Sequence, residues 1–380
     1  MESRAKIFGM SPDRAPDAPA VAPAPAPAAA SLFTNSRLQR FASLGALLVT
    51  LAGLVLFAYT IQHAGVHETL DRVRRMGIGG FLLIVMLGGI RLLVRSLAWV
   101  WCVEGSPRLR LRGAFEASLI GEALGNLTPF GTFISEPSKA VLVRSQVPLR
   151  AALSGIAVEN IFYVLTLNVV IGLGALTFLA YFQLDATLRE GSVAALAAVA
   201  LVVGIALIVI LSRSTPLSTT LRWVLRGWKH HEWQRHLVER VGTLETRIYG
   251  FYGRHRHILL PLLLLEATFH LAGVAEVYVT LSLIVTGAPV TLLHALILES
   301  IGRVINILFK FVPFKVGVDE GAAAVVATVL GLGTATGVTL AIVRKARIIC
   351  WTAVGVLLLA RRGLSIRTVL RDAEKMSENE

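Results

Sequence analysis

The sequence predicts an all-α integral membrane protein, an inverted-repeat helical bundle with about six full spans and two re-entrant helical hairpins. Three observations support this prediction. Hydrophobic residues make up 55% of the 380-residue chain and charged residues only 16%, which is far from the composition of soluble proteins. Apolar runs long enough to cross a bilayer recur along the chain. A Pro-Phe-x5-Glu pattern occurs twice, at Pro129 and at Pro313.

The repeated pattern predicts two hairpins that enter the membrane without crossing it. Residues 129–137 and 313–321 each combine a proline, glycine and an acid, which interrupt the hydrogen-bond ladder of a helix. Irregular backbone at membrane depth is tolerated only where protein or a water-filled cavity surrounds it. Two interrupted segments in corresponding positions of two halves are typical of a transporter binding site.

The predicted elements follow the same order in two halves. Residues 1–36 are rich in alanine and proline, and we expect a disordered cytoplasmic tail there. The first membrane repeat, residues 37–182, holds spans at 41–62, 78–103 and 151–181 around a hairpin at 113–147. The second repeat, residues 183–362, holds spans at 192–212, 258–285 and 337–360 around a hairpin at 289–333. Residues 363–380 form a second cytoplasmic tail.

The charges in the loops predict the orientation. Each half has three crossings, an odd number, so the two halves must lie in opposite orientations. The segments assigned to the cytoplasm hold 25 lysines and arginines, whereas the opposite side holds 4. Because basic residues concentrate in cytoplasmic loops, both termini are predicted to be cytoplasmic.

The long cytoplasmic loop at 213–256 is basic and amphipathic. Apolar side chains recur there at steps of three and four, between Arg235, Arg240 and Arg247. Two interpretations fit this pattern equally well. The loop is either a helix lying on the anionic leaflet or a soluble helical hairpin packed on the membrane bundle.

Charge and motif content narrow the function classes. The net charge of +13 lies mostly in loops between apolar runs, so it predicts contact with an anionic membrane surface rather than with nucleic acid. Cys102 and Cys350 fall inside apolar runs without metal-ligand spacing, and we expect no disulfide, metal site or cofactor. The known nucleophile and phosphate-loop motifs are absent from the sequence, which favours a transporter over an enzyme.

Ionisable residues at membrane depth supply the candidate site. Such groups cost several kcal/mol unless they face a partner or water, so they are functional candidates. With the two loop prolines, the predicted substrate-binding and translocation residues are Arg91, Arg95, Pro129, Glu136, Glu159, Pro313, Lys315, Glu320 and Arg344. Arg91 and Arg95 share a helix face, and with Arg344 they are expected to make phosphate contacts.

Several of these groups have a purely structural alternative. Glu136, which precedes a proline, and Glu320 are each expected near a helix start, where capping alone explains an acid as well as transport does. Glu299 and Arg303, four residues apart, are interpreted as a helix-stabilising pair rather than as substrate ligands. His270, one turn after Glu266, is interpreted as a packing residue rather than a proton relay.

The motifs resemble a known family. Thr128-Pro129-Phe130-Gly131 up to Glu136, and Pro313 to Glu320 followed by Ala-Ile-Val-Arg344, resemble the membrane region of lysylphosphatidylglycerol synthases and the stand-alone flippase-like proteins related to it. Some stand-alone members accompany hopanoid biosynthesis. The resemblance covers about residues 40–362 and assigns family positions to Pro129, Glu136, Glu159, Gly317, Glu320 and Arg344. Ser135, Asn160 and Phe314-Lys315 depart from the family pattern.

The resemblance implies a bacterial inner-membrane protein that moves lipid between leaflets. We therefore predict translocation of an anionic, isoprenoid or hopanoid lipid, with membrane lipids and a separate lipid-biosynthesis enzyme as partners. Two alternatives stay open: a membrane enzyme acting on polyprenyl-phosphate lipids, and an accessory membrane subunit of a lipid-modifying enzyme.

Overall fold

A computed structural model describes residues 55–104, 108–128, 131–212, 253–287, 289–309 and 316–363, together with the isolated residues 219, 238, 242 and 250. The side chains of 132, 133 and 206–212 are not among those described. The described ranges are helical and contain no strand, as the predicted fold class requires. Most of the loop at 213–256, most of the first predicted span, the tail at 1–36 and all but the first residue of the tail at 363–380 lie outside the described residues.

The described helices repeat one order in the two halves of the chain. Residues 55–64 are helical at the end of the first predicted span. The first half continues with α1 (Val66–Cys102), α2 (Leu111–Leu127), α3 (Gly131–Leu142) and α4 (Leu149–Tyr181). The second half contains α5 (Ala186–Ser212), α6 (Arg256–Ile284), α7 (Leu292–Leu308), α8 (Val318–Val329) and α9 (Thr334–Arg361). The predicted span boundaries agree with these helices within a few residues, except that α1 begins twelve residues and α5 six residues before the predicted start of its span.

A glycine divides α1 into two parts. Gly77 has φ 64° and ψ 176°, which is not helical, and it separates a short helix on the loop side from the long apolar helix that follows. Glycine adopts this left-handed region without the steric cost that a Cβ would bring. The break coincides with the predicted beginning of the second span at residue 78.

Two short helical pairs occupy the predicted hairpin positions. The pairs α2–α3 and α7–α8 have the same lengths, 17 and 12 residues each. At 1.5 Å per residue a 12-residue helix is about 18 Å long, too short for the roughly 30 Å hydrocarbon core. In the first pair, Gly125 approaches Gly131 and Gly121 approaches Ser135, so α2 and α3 run antiparallel.

One predicted helix boundary is wrong. Glu136 and Pro137 were expected at the start of a helix, but α3 begins at Gly131 and contains Pro137 in its interior. The chain reverses earlier because Gly131 lies against the Gly125 carbonyl, an approach that leaves no room for a Cβ. Glu136 therefore projects from the body of α3 and does not cap it.

Reciprocal contacts join the two halves. The long helices α1 and α6 pack together, α4 packs on α7, and α9 packs on α2. One apolar core surrounds α2 and α3 and includes Trp99, Ile120 and Val143. A second core lies between α1, α6, α7, α8 and α9 and includes Ile84 and Leu340. Each short helical pair is thus embedded in helices from both halves.

The start of α2 is tied to the end of α9. Glu116 accepts hydrogen bonds from Arg362 at 2.6 Å and from Arg112 at 2.9 Å. The hydrogen bond from Arg362, followed by that from Arg112, holds the pKa of this carboxyl below its usual value.

Four described helices are long and apolar enough to cross a membrane: Val66–Cys102, Leu149–Tyr181, Ala186–Ile205 and Arg256–Ile284. With its many exposed large apolar side chains, the chain is a multi-pass membrane protein. The sixth predicted span, within α9, has the length to cross but carries Arg344, Lys345 and Arg347 in one turn. Those charges have partners inside the bundle.

Candidate functional site

An arginine cluster lies in the interior of the bundle. We define it as four arginines and two glutamates from four helices: Arg91 of α1, Glu276 of α6, Glu299 and Arg303 of α7, and Arg344 and Arg347 of α9. Arg91 is 14 residues past the break at Gly77 and 11 residues before Cys102, so it lies about 20 Å and 17 Å along the helix from the two ends. The cluster is therefore near the middle of that span.

Glu299 is shared by three guanidinium groups. Its Oε1 lies 2.7 Å from Nη2 of Arg303 and 3.6 Å from Nη2 of Arg91, and its Oε2 accepts from Nη2 of Arg344 at 2.6 Å. The Glu299 side chain is only 6% exposed. The predicted Glu299–Arg303 pair is present, but it is part of a larger network that reaches from α7 to α1 and α9.

Glu276 is the second anchor of the cluster. Arg91 donates to its Oε2 at 2.8 Å, and Nε of Arg347 lies 2.7 Å from its Oε1. Glu276 is buried, so it needs these cations because an unpaired carboxylate inside a protein is very costly. The Phe269 ring makes cation–π contacts with two guanidinium groups, which lie 4.8 Å (Arg91) and 5.2 Å (Arg303) from its centroid.

Glycines make room for the cluster. A Cβ on Gly302 would lie 2.7 Å from Nη1 of Arg344, and one on Gly88 would lie 2.6 Å from Cδ of Arg347. Gly273 of α6 faces Glu299 in the same close manner. Three helices thus expose bare backbone where the charged side chains pass.

The cluster has more positive than negative charge. Four guanidinium groups face two carboxylates, a formal excess of two positive charges. Nε of Arg91 also has no acceptor among the described residues, whereas Nη2 of Arg303 and Nε of Arg347 each lie 2.7 Å from a carboxylate oxygen without good hydrogen-bonding geometry. A buried site with surplus cations and an unused N–H donor is suited to binding an anion such as phosphate.

A carboxyl cluster adjoins the arginine cluster. It contains Arg95 of α1, Glu136 and Lys139 of α3, Glu159 of α4 and Glu266 of α6. Arg95 donates to Glu159 at 2.8 Å and has Glu136 at 3.9 Å, while Lys139 donates to Glu136 at 2.9 Å. Three acids face two cations, so this cluster has a formal excess of one negative charge.

Tyr163 joins the two clusters. Arg95 lies over its ring at 4.6 Å from the centroid, and its hydroxyl accepts from Nη1 of Arg303 at 3.4 Å. The ring also contacts Phe269 and His270. A change at one cluster therefore acts directly on side chains that contact the other.

A third set of charges lies on the second helical pair. Lys345 binds Glu320 at 2.5 Å and has Asp319 at 3.9 Å. Glu320 is fully buried, and its other oxygen accepts the N–H of Gly317 at 2.8 Å, where φ is 85°. Glu320 thus caps α8 and also neutralises Lys345, so capping does not fully account for it.

These positions coincide with a family match. Residues 43–360 match the family described as the lysylphosphatidylglycerol synthase TM region. The chain belongs to this family. The match includes both helical pairs and all three charged sets, and it confirms the resemblance seen in the motifs. No curated protein and no solved structure is similar enough to this chain to count as a match.

The predicted site residues of this lysylphosphatidylglycerol synthase TM-region protein fall into three sets. Arg91 and Arg344 belong to the arginine cluster, Arg95, Glu136 and Glu159 to the carboxyl cluster, and Glu320 to the pair with Lys345. Arg344 contacts Glu299, while Glu136 and Glu320 have lysine partners. Pro129, Pro313 and Lys315 lie outside the described residues.

Four members of the arginine cluster were not predicted as site residues: Glu276, Glu299, Arg303 and Arg347. Their signal in the sequence was charge within apolar runs, and the Arg344–Arg347 spacing of three residues places both on one face of α9. Their partners are distant in sequence, such as Arg91 and Glu276 at a separation of 185 residues. Spacing along one helix does not reveal such pairs.

Proposed function

We propose that this protein moves a lipid with an anionic head group between the two leaflets of the bacterial inner membrane. The expected substrates are phosphate-bearing lipids, including isoprenoid or hopanoid-linked ones, and their acyl or isoprenoid tails stay in the bilayer. The observation that supports this function is the formal excess of two positive charges in the buried arginine cluster. The family match supports a membrane lipid-related role.

The energetic argument starts from the cost of buried arginine. A charged side chain at the bilayer centre costs about 2.5–3.5 kcal/mol on insertion scales. Two carboxylates balance two of the four guanidinium groups, so two remain without a countercharge inside the cluster. A phosphate group supplies that countercharge and accepts from Nε of Arg91, which has no acceptor among the described residues.

The carboxyl cluster and the pair of Glu320 with Lys345 complete the proposed path. Glu136 is carried by α3 of the first helical pair, and Asp319 and Glu320 by α8 of the second. The surplus positive charge of the arginine cluster attracts an anion, whereas the acids of the other two sets do not. We propose that Arg95 and Lys345 transfer between their acids and the passing phosphate, so that the head group exchanges partners instead of losing them.

An inverted repeat would let one site open to both sides of the membrane. In this proposal α2–α3 and α7–α8 are re-entrant hairpins that open to opposite sides, and both termini are cytoplasmic. The equal helix lengths of the two pairs and the reciprocal packing of α4 on α7 and α9 on α2 support it. In each of these contacts, the last long helix of one half packs on the first helix of the short pair in the other half. The two contacts are therefore equivalent when the halves are exchanged.

Reconstitution tests the function directly. The purified protein is placed in vesicles with a trace of fluorescent phosphatidylglycerol, and dithionite is added to reduce the label in the outer leaflet. We expect the wild-type protein to expose inner-leaflet label that stays protected in protein-free vesicles. Arg344→Lys should translocate far more slowly, because an ammonium group cannot replace a planar fork that binds carboxylate and phosphate together.

Arg112→Gln is the matched control for loss of a basic side chain, since Arg112 is 91% exposed and lies outside the three sets. It should translocate at the wild-type rate. If wild-type protein leaves the inner-leaflet label protected, the translocator proposal fails and an accessory subunit or a lipid-modifying enzyme becomes the better account. If Arg344→Lys is as fast as wild type, the arginine cluster is not the path.

A further inference from the structure

Glu266 is a buried acid that lacks a cation of its own. Its exposure is 0%, and neither side-chain oxygen has a hydrogen-bond donor among the described residues. The two basic side chains of the carboxyl cluster donate hydrogen bonds to other acids, Arg95 to Glu159 at 2.8 Å and Lys139 to Glu136 at 2.9 Å. An isolated carboxylate in such surroundings is very costly, and a buried acid of this kind normally becomes neutral by taking up a proton.

The neighbour of Glu266 shows where that proton would go. The carboxyl group of Glu159 lies next to that of Glu266 inside the carboxyl cluster. Two ionised carboxylates are both acceptors and repel one another, whereas a protonated carboxyl donates to an ionised one. Glu159 already accepts a hydrogen bond from the guanidinium group of Arg95. The contact is therefore satisfied when Glu266 carries the proton and donates it to Glu159.

We infer that Glu159 and Glu266 form a proton-binding site, and that one proton crosses the membrane with each anionic head group. The site itself follows from the burial of Glu266 and its contact with Glu159. The coupling to lipid movement rests on the proposed function.

The coupling step follows from the position of Arg95. When a phosphate oxygen displaces Glu159 from Arg95, Glu159 becomes a buried carboxylate without a cation. It then takes up a proton from the aqueous side that is open, and it releases that proton when Arg95 returns to it as the lipid leaves. One negative charge and one proton thus move together, and no net charge is left in the membrane interior.

Several other titratable or charged side chains lie around this site. From α1 these are Arg95 and Cys102, from α3 Glu136 and Lys139, from α4 Tyr163, from α6 His270 and from α7 Glu299 and Arg303. His270 is fully buried against Tyr163 and Phe269, and neither of its nitrogens has a partner among the described residues. Its contacts are those of a packing residue, so the carboxyl pair is the better proton carrier.

Infrared spectroscopy tests the proton site without any lipid transport. A protonated carboxyl in an apolar site has a carbonyl stretch that is separate from the amide and carboxylate bands. We expect this band at neutral pH in the wild-type protein, and we expect it to be lost in Glu266→Gln. Glu104→Gln, which changes an exposed acid that pairs with Arg254, should keep it. Absence of the band from wild-type protein at neutral pH would overturn the proton site, and this measurement does not depend on a variant that folds.

A pH gradient tests the coupling. Vesicles with fluorescent phosphatidylglycerol are prepared with the lumen more acidic or more alkaline than the outside. We expect the gradient to change the direction and rate of translocation by wild type and by Glu104→Gln, and to have no effect on Glu159→Gln, because Glu159 is the group that takes up and releases the transported proton. Wild-type translocation that ignores the gradient overturns the coupling. If wild type moves no phosphatidylglycerol, the proposed function and the coupling both fail, while the infrared band still decides the proton site.

Discussion

The cation excess of the arginine cluster predicts that its acids matter more for stability than its bases. Glu299→Gln removes the charge that three guanidinium groups share, and it leaves four arginines with Glu276 as their only carboxylate in the cluster. Breaking a buried ion pair by removing one partner costs about 3–5 kcal/mol, because the remaining charges are left uncompensated. We expect Glu299→Gln to lose free energy of unfolding in this range.

Arg344→Gln perturbs the same contact from the other side. It removes one charge-assisted hydrogen bond to Glu299, which is worth at most about 1.5–3 kcal/mol. Glu299 still keeps Arg303 at 2.7 Å, and the loss of one positive charge relieves repulsion among the remaining arginines. The variant should therefore be destabilised by about 2 kcal/mol less than Glu299→Gln.

The assay is unfolding of the purified protein in one detergent, by denaturant or by heat, with Arg112→Gln as the control. The predicted order of midpoints is wild type and Arg112→Gln highest, Arg344→Gln next and Glu299→Gln lowest. If Arg344→Gln is destabilised as much as Glu299→Gln, the cluster is a balanced structural network. The reasoning from surplus charge to anion binding would then be refuted.

Three further predictions follow from the topology, the close packing and the surface charges. In a cysteine-free background, single cysteines at positions 183–190 should react with a membrane-impermeant reagent from outside only, and labelling from the cytoplasm would contradict the proposed orientation. Gly302→Ala should displace the Arg344 guanidinium and slow lipid translocation, whereas Gly79→Ala, whose Cβ would meet nothing within 4 Å, should not. The hydrogen-bonded ion pair with Arg362 of α9 lowers the pKa of Glu116. The stability that this pair contributes is therefore present at pH values above the unfolded-state pKa of about 4.3, and it is lost as the pH falls through the lower pKa of the folded state. The stability difference between wild type and Glu116→Gln in denaturant titrations should therefore shrink over that acidic range, and a difference independent of pH would refute it.

Apolar run length predicted most of the helices. The runs at 151–181 and 258–285 correspond closely to α4 and α6 because an apolar run of span length with few charges leaves little choice of structure. The start of α3 was missed, since Pro137 was taken as the first residue of a helix. The close approach of Gly131 to Gly125, six positions away in the neighbouring helix, fixes that start instead. No local propensity signals such a contact.

The sequence predicted the kinds of residue in the candidate site better than it predicted which residues pair with one another. Buried arginines and acids could be identified as functional candidates by their depth alone. The partner of Arg344 is Glu299, 45 residues away, and the partner of Glu320 is Lys345, 25 residues away. Both contacts depend on how α9 packs against α7 and α8, which sequence spacing does not determine.

Head-group selectivity tests the central claim most directly. Fluorescent phosphatidylglycerol and phosphatidylcholine carry the same label and tails but differ in net charge, and both can be followed in vesicles with the same protein content. The account predicts that wild-type protein translocates the anionic lipid faster, and that Arg344→Gln brings the two rates closer together while Arg112→Gln does not. Equal rates for the two lipids in the wild-type protein would contradict an anionic head group passing through the arginine cluster.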